Sequence, residues 1–288
     1  MSQPVELGTV NWLRDWDAAK VQAQSSQKDI FILFQEVPGC STCQKYGQYV
    51  MSDPLLKEII ETYYVPLAIY NNKGGKDKKA LEYFNEPSWN NPVARIVNAH
   101  GKSVGGRLSG KYSKSAVLDF ILSHLKQQTN IPAYINILEN EWYAAEQGTK
   151  EVTLSMYCFW SGEKVLGQIP GVVNTTAGFM NGREVVKVSY LSEQTSAEKI
   201  VKVGKKHQCA DQVFTNDKKI KNQLQKSKIP IRPTSKFKLD KDQNYYLKHS
   251  KFKDVQLTEM QAMMVNSALG EGKDPTFLLS PRQVQSLE

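Results

Sequence analysis

Cysteine is scarce in this chain, with four in 288 residues, and histidine is equally sparse, also four. One Cys-x-x-Cys pair occurs at Cys40-Ser41-Thr42-Cys43, and no second pair or His pair completes a metal site of ordinary spacing, so no metal is assigned. No apolar run approaches the roughly 20 residues of a membrane-spanning helix, which excludes a helical membrane protein. The stretch from Met1 to Lys28 is polar and mixed in charge, so it does not read as a signal peptide; the cytoplasm is the expected location. There, cysteines stay reduced unless they cycle in catalysis. No nucleic-acid motif is present. The net charge of +8 is concentrated between Lys202 and Lys253, where about fifteen Lys or Arg face about four acids. Aromatics are not regularly interleaved there, so the run reads as a solvated lysine-rich face and a nucleic-acid partner is not expected.

What is present allows one large or two ordinary domains, and 40% hydrophobic residues are enough for real cores. Three of the four cysteines fall in two places, the Cys40/Cys43 pair and Cys158, which makes thiol chemistry the first reading to test. Cys158 follows a strand-like run, Val152 to Tyr157, and precedes Phe159-Trp160, so it reads as a nucleophile at the floor of an apolar pocket.

Asp29 to Val37 reads as an apolar strand running straight into Pro38-Gly39-Cys40. Gln44 to Tyr63 reads as a helix broken and restarted at Ser52-Asp53-Pro54, and Tyr64 to Tyr70 as another strand. A helical turn at Ala80 to Phe84 precedes a hairpin, Pro92 to Asn98 and Ser103 to Leu108. An amphipathic helix follows over Ser113 to Gln128. This order of elements resembles the thioredoxin fold over about residues 1–128. The resemblance implies that Cys40 sits at a helix N-terminus as the attacking thiolate, that Cys43 follows one turn on, and that Asn91-Pro92 supplies a cis-proline facing the dithiol. Val37-Pro38-Gly39-Cys40-Ser41-Thr42 looks like the VPGUxT group of thioredoxin-like (seleno)proteins, with cysteine in the selenocysteine position. Read from the residues alone, the pair is redox-active, half of a zinc site, or inert.

Residues 129–150 read as a helical linker with Pro132 in its first turn. Residues 151–250 form the second expected domain, with further strands expected at Val185 to Tyr190 and Glu198 to Val203. The tail, 251–288, carries an amphipathic helix around Leu257 to Asn266. Tyr157-Cys158-Phe159-Trp160-Ser161-Gly162-Glu163 is similar to the Gly-Cys-Phe-Trp-Gly-x-Glu signature of the peptide methionine sulfoxide reductase A family. Pro170-Gly171-Val172, Gly178 to Gly182, Thr195 to Glu198 and Asp240 to Leu247 resemble its later segments.

The fold expected is therefore α/β throughout: a thioredoxin-like domain, then an α/β methionine sulfoxide reductase A-like domain. The second resemblance implies a thiolate at Cys158 that attacks the sulfoxide sulfur. It implies a neutral, buried acid at Glu198 that protonates the oxygen, and Phe159 and Trp160 as holders of the S-methyl group. Glu163 is a rival acid or a structural residue. Cys209 falls where the family has a catalytic tyrosine; it is either a resolving thiol for Cys158 or an unreactive cysteine on a strand.

The leading expectation is a fused oxidoreductase that reduces a sulfoxide at Cys158 and is recycled by Cys40/Cys43, with no cofactor. Its partners would be a sulfoxide- or disulfide-containing substrate and an external thiol reductant. The alternatives are a thiol–disulfide or peroxide oxidoreductase acting through Cys40 and Cys43, with the second domain a degenerate binding module, or a non-enzymatic redox sensor.

Overall fold

The structure is a computed structural model that describes residues 3–287; the first two positions of the expected 1–128 domain and the last of the 251–288 tail lie outside the described residues. The chain divides into two compact units, Met1–Ile131 and Pro132–Glu288.

In the first unit, α1 (Trp16–Ser26) opens on Asp15, whose carboxylate accepts the N–H groups of Asp17 and Ala18. The strand β1 (Asp29–Gln35) is buried from Ile30 onward because its neighbours cover both faces. The chain then turns through Glu36 to Cys40 into α2 (Ser41–Lys45), which continues as a wider π-type turn over Tyr46–Val50. Asp53 caps α3 (Pro54–Tyr63), and Pro54 occupies the first helical turn, where its missing N–H is harmless. Then follow β2 (Tyr64–Tyr70), α4 (Lys76–Phe84), β3 (Val93–Val97), β4 (Ser103–Ser109) and α5 (Lys114–Leu125).

The sheet order is β2-β1-β3-β4, with β1 parallel to β2 and antiparallel to β3. This places the loop after β1 and the loop before β3 at the same end of two paired strands, since Phe34 pairs with Val93. Cys40 ends the first of these loops with Cys43 following in α2, and Pro92 lies in the second.

The second unit begins with α6 (Ala133–Gln147), whose Tyr134, Ile135, Ile137 and Leu138 are buried. It continues with β5 (Lys150–Ser155), α7 (Phe159–Leu166), β6 (Val172–Met180) and β7 (Arg183–Tyr190). The turn between β6 and β7 is Asn181-Gly182, both at positive φ, the sequence a tight hairpin of this twist requires.

Next comes α8 (Ala197–Lys206), a helix where the sequence predicts a strand over Glu198 to Val203. Two local forces make it a helix. Ser196 accepts the N–H of Lys199 as an N-cap, and Ala197, Ile200, Val201 and Gly204 bury one face at three- and four-residue spacing.

The remaining elements are β8 (Gln212–Phe214), α9 (Lys218–Leu224), β9 (Ile231–Arg232), β10 (Lys238–Leu239), α10 (Tyr245–Lys248), α11 (Glu259–Gly270) and α12 (Pro281–Gln285). The six strands run in the order β10-β6-β7-β5-β8-β9. Thr258 and Gln261 form a reciprocal capping box on α11, which packs Met260, Met263 and Val265 into the core shared with β5, β6 and α7.

Candidate active site

The dithiol is held from three sides. Gly39 N–H donates to the carboxylate of the buried Glu6 at 2.9 Å, and Val37 N–H donates to Asn72 Oδ1 at 3.1 Å. Gln35, fully buried at the end of β1, donates to the carbonyls of Glu6 at 2.9 Å and of Cys43 at 3.3 Å. Gly39 is the residue that lets this turn close. A Cβ there would stand 2.4 Å from Glu36 O and 2.6 Å from Cys43 Cβ, both well inside contact distance.

The two thiols lie 3.4 Å apart, sulfur to sulfur, in opposite environments. Cys40 is exposed at the N-cap of α2 and Cys43 is buried. No side-chain cap bond is formed at Cys40. Its pKa is nonetheless held below the ordinary thiol value, first by the Cys43 backbone N–H facing its sulfur and then by the Cys43 thiol, against a smaller upward push from desolvation and the Glu36 charge. Burial, with the hydrogen bond and charge of Cys40, pushes the Cys43 thiol up to about 12. Cys43 thus keeps its proton, and two acceptors lie in reach of it: the Cys40 sulfur and, at 2.8 Å, Asn91 Oδ1.

Asn91 precedes Pro92 across a cis peptide bond; Val37-Pro38 is also cis. The loop before Pro92 is tied through Asn90, whose carbonyl accepts from Asn71 at 3.2 Å and whose side-chain oxygen accepts from Ser109 at 3.3 Å, while the fully buried carboxylate of Glu86 takes ion pairs from Arg95 on β3 and Arg107 on β4. The structure therefore brings Cys40, Cys43 and the Pro92 loop together. Glu6, Gln35, Glu36 and Asn72 complete this site without a signal in the sequence, and Asn91 enters it as the partner of the Cys43 thiol. Only Asn91, beside Pro92, carried a local signal.

In the second unit, Cys158 is half-buried at the N-cap of α7, directly after the exposed Tyr157. The first amide of that helix, Phe159 N–H, is taken by Glu184 Oε2 at 2.8 Å rather than by the thiol. Phe159 is buried edge-on against Phe179 at 5.4 Å. Trp160 stacks face to face on Tyr245 of α10 at 4.0 Å and 19°, and its buried indole N–H has no hydrogen-bond partner among the described residues.

Glu163 lies one turn of α7 further on and is fully buried. Desolvation raises its pKa to about 7. The backbone N–H groups of Asn244 and Ala177 pull the other way, yet neither completes hydrogen-bond geometry with its oxygens. Tyr246 stands beside the same groups: burial first, then the charges of Cys158, Tyr245 and Glu163, raise its phenol, and Ser161 hydrogen-bonds it. Cys158, Glu163, Tyr246 and the Trp160–Tyr245 stack therefore form one cluster.

The other two expected residues sit differently. Glu198 is exposed in the first turn of α8, so the burial that an acid role requires is found at Glu163 instead. Cys209 is buried in the core, its N–H donating to Gly204 O at 2.8 Å, and burial pushes its thiol up to about 11. A cavity of about 350 Å³ bounded by Thr175, Gln243, Asn244 and Glu259 and an apolar one of about 280 Å³ beside Ile169 and Met264 are both lined without Cys158, Phe159 or Trp160.

Comparison with known proteins places the dithiol in context. The thioredoxin-like family profile matches residues 11–99, within the first unit, which is a thioredoxin-like domain. Among solved structures, a DsbH oxidoreductase is similar at 15% identity, covering 44% of this chain and 92% of its own, with a TM-score of 0.37. A thioredoxin from Thermus thermophilus is similar at 21% identity, covering 39% of this chain and 85% of its own, with a TM-score of 0.34. No curated protein matches the chain.

Proposed function

We propose that this protein is a thiol–disulfide oxidoreductase in which Cys40 attacks and Cys43 resolves. The observation that carries the reading is the opposite displacement of two thiols 3.4 Å apart, one exposed and eased toward the thiolate, the other buried and held protonated. The Cys40 thiolate attacks one sulfur of a substrate disulfide. The substrate S–S bond breaks, the distal sulfur leaves as a thiolate that takes a proton from water, and a mixed disulfide forms. Cys43 then loses its proton to solvent and attacks the Cys40 sulfur. The Cys40–Cys43 disulfide closes, the substrate leaves as a dithiol, and two electrons have passed to it. An external thiol reductant returns the pair to its starting state. On cysteine usage we place this chemistry in the cytoplasm.

The test is reduction of an aromatic disulfide or of insulin by the full chain. Cys40→Ser should abolish turnover, and Cys43→Ser should stop at a mixed disulfide detectable by mass. A Cys40→Ser protein with wild-type turnover would sink the proposal.

A second reading, sulfoxide reduction at Cys158, is favoured by one observation: a buried carboxyl with a pKa near 7, Glu163, in the same cluster as Tyr246 and the thiol. Here Cys158 attacks the sulfoxide sulfur, Glu163 gives its proton to the departing oxygen, the sulfide is released and Cys158 is left as a sulfenic acid. Attack by a second thiol releases water and forms a disulfide. Turnover of a methionine sulfoxide peptide with dithiothreitol, lost in Cys158→Ser, is the expected result. Absent turnover together with an unreactive Cys158 would end this reading.

A further inference from the structure

We propose that Glu36, Cys40 and Cys43 form a zinc-binding site. The two sulfurs and a Glu36 carboxylate oxygen lie within 4.8 Å of one another, and among the described residues this is the one place where three Cys, His or carboxylate donors converge at that spacing. The geometry fits a single small ion. Two thiolates on one tetrahedral zinc, with bonds of about 2.3 Å, sit about 3.8 Å apart, and the free pair stands at 3.4 Å. A carboxylate oxygen on the same ion lies about 2.0–2.2 Å from it, close enough for Glu36 to reach without moving the chain far. Cys40 is exposed, so the fourth position opens to water.

Two features of the turn favour the bound form. Gly39 permits the close approach of Glu36 and Cys43, where any Cβ would stand 3.2 Å from Cys43 Sγ as well as against the backbone. Glu36 is half-buried, no cation among the described residues is held against it in an ion pair, and it faces Cys40, so it is a negative charge set beside two thiols. A divalent cation converts that repulsion into attraction. Two thiolates and one carboxylate are too soft for magnesium or calcium and suit zinc. Binding displaces the Cys43 proton to solvent and involves no electron transfer.

This site does not depend on the disulfide chemistry proposed above, because zinc needs only the two thiolates and the carboxylate. Occupied, it blocks both sulfurs from oxidation and from attack on a disulfide, so zinc would act as a reversible inhibitor of that chemistry.

The experiment is titration of the reduced, chelator-treated full chain with zinc against a chromophoric competitor, alongside cadmium, whose thiolate charge-transfer absorption reports sulfur ligation. We expect one equivalent, its loss in Cys40→Ser, and at least about tenfold weaker binding in Glu36→Gln, the scale at which metal sites respond to a lost supporting group. Zinc should also protect Cys40 from alkylation in the wild-type chain, read by mass on the Cys40 peptide, which needs no variant to fold. Retention of the equivalent in Cys40→Ser, wild-type affinity in Glu36→Gln, or unchanged alkylation of Cys40 would each overturn the proposal. Disulfide reduction is measured separately on metal-free protein, so failure there leaves the zinc result standing, and the reverse.

Discussion

The Cys43 thiol hydrogen-bonds Asn91 Oδ1 at 2.8 Å, so the residue before the cis-proline competes with Cys40 for the one proton the dithiol holds. Asn91→Leu removes that competitor. The proton is then shared with Cys40 alone, which stabilises the Cys40 thiolate. One hydrogen bond is worth about 1 kcal/mol, so the Cys40 pKa should fall further below the ordinary thiol value. The rate of Cys40 alkylation against pH reads this directly; a pKa that rises in the variant would contradict the shared-proton arrangement.

The two thiols give the reduced protein opposite stability slopes in adjacent pH windows. Cys40 is depressed in the fold, so between its folded pKa and the ordinary thiol value the unfolded chain holds a proton the native one has lost, and stability rises with pH. Cys43 is raised to about 12, so above the ordinary thiol value the native chain holds the extra proton, and stability falls. Denaturant melts of the first unit's transition under reducing conditions should show a maximum near the ordinary thiol pKa. Cys43→Ser should lose the part of the alkaline limb that lies below the ordinary phenol value of 10.0, above which the raised Tyr46 and Tyr64 phenols add their own, and Cys40→Ser should lose the acidic limb. An alkaline limb that persists below that value in Cys43→Ser would assign it to another group.

Gly39→Ala should separate the thiols rather than merely soften the loop. The added methyl meets Glu36 O at 2.4 Å and Cys43 Cβ at 2.6 Å, and neither is the free end of a flexible side chain. Overpacking of this kind costs roughly 1–3 kcal/mol. We expect a destabilisation of that size by urea melt, and slower closure of the Cys40–Cys43 disulfide. Unchanged stability would mean that the turn shifts freely.

How far these features could be read in advance depends on whether they are local. The dithiol turn is local: an apolar strand, Pro38-Gly39, two cysteines one turn apart and a helix follow each other in the chain. Asn91 and Glu6 reach Cys43 and Gly39 only because β1 pairs with β3 and because the N-terminal segment packs beneath the loop, and neither pairing leaves a mark near those residues. The misread helix α8 shows the limit of propensity. Ile200, Val201 and Val203 favour extended backbone as a β-branched group, but the Ser196 cap and the burial of Ile200, Val201 and Gly204 on one helical face outweigh it. Glu198 and Glu163 are equivalent as residue types. Burial separates them, and burial depends on packing of α7 against β6 and α11, which no short motif records.

Glu163 yields a prediction that separates its structural and chemical roles. Its carboxyl is fully buried, without a completed hydrogen bond, and carries a pKa of about 7. Because the folded value lies above the unfolded one, the native state holds a proton between about 4.5 and about 7 that the unfolded chain has released, and stability falls as pH rises through that window. The full cost on the alkaline side is about 3 kcal/mol for a shift of this size. Glu163→Gln is neutral and of nearly equal volume, so it should match wild type below the window and exceed its stability above it, the gap opening between about pH 4.5 and 7 in urea melts. If Glu163 also supplies the proton to a departing sulfoxide oxygen, the same variant should lose roughly 10² or more of any methionine sulfoxide turnover while becoming more stable at neutral pH. A stabilised variant with undiminished turnover would leave Glu163 a buried structural acid and remove the observation that favours chemistry at Cys158.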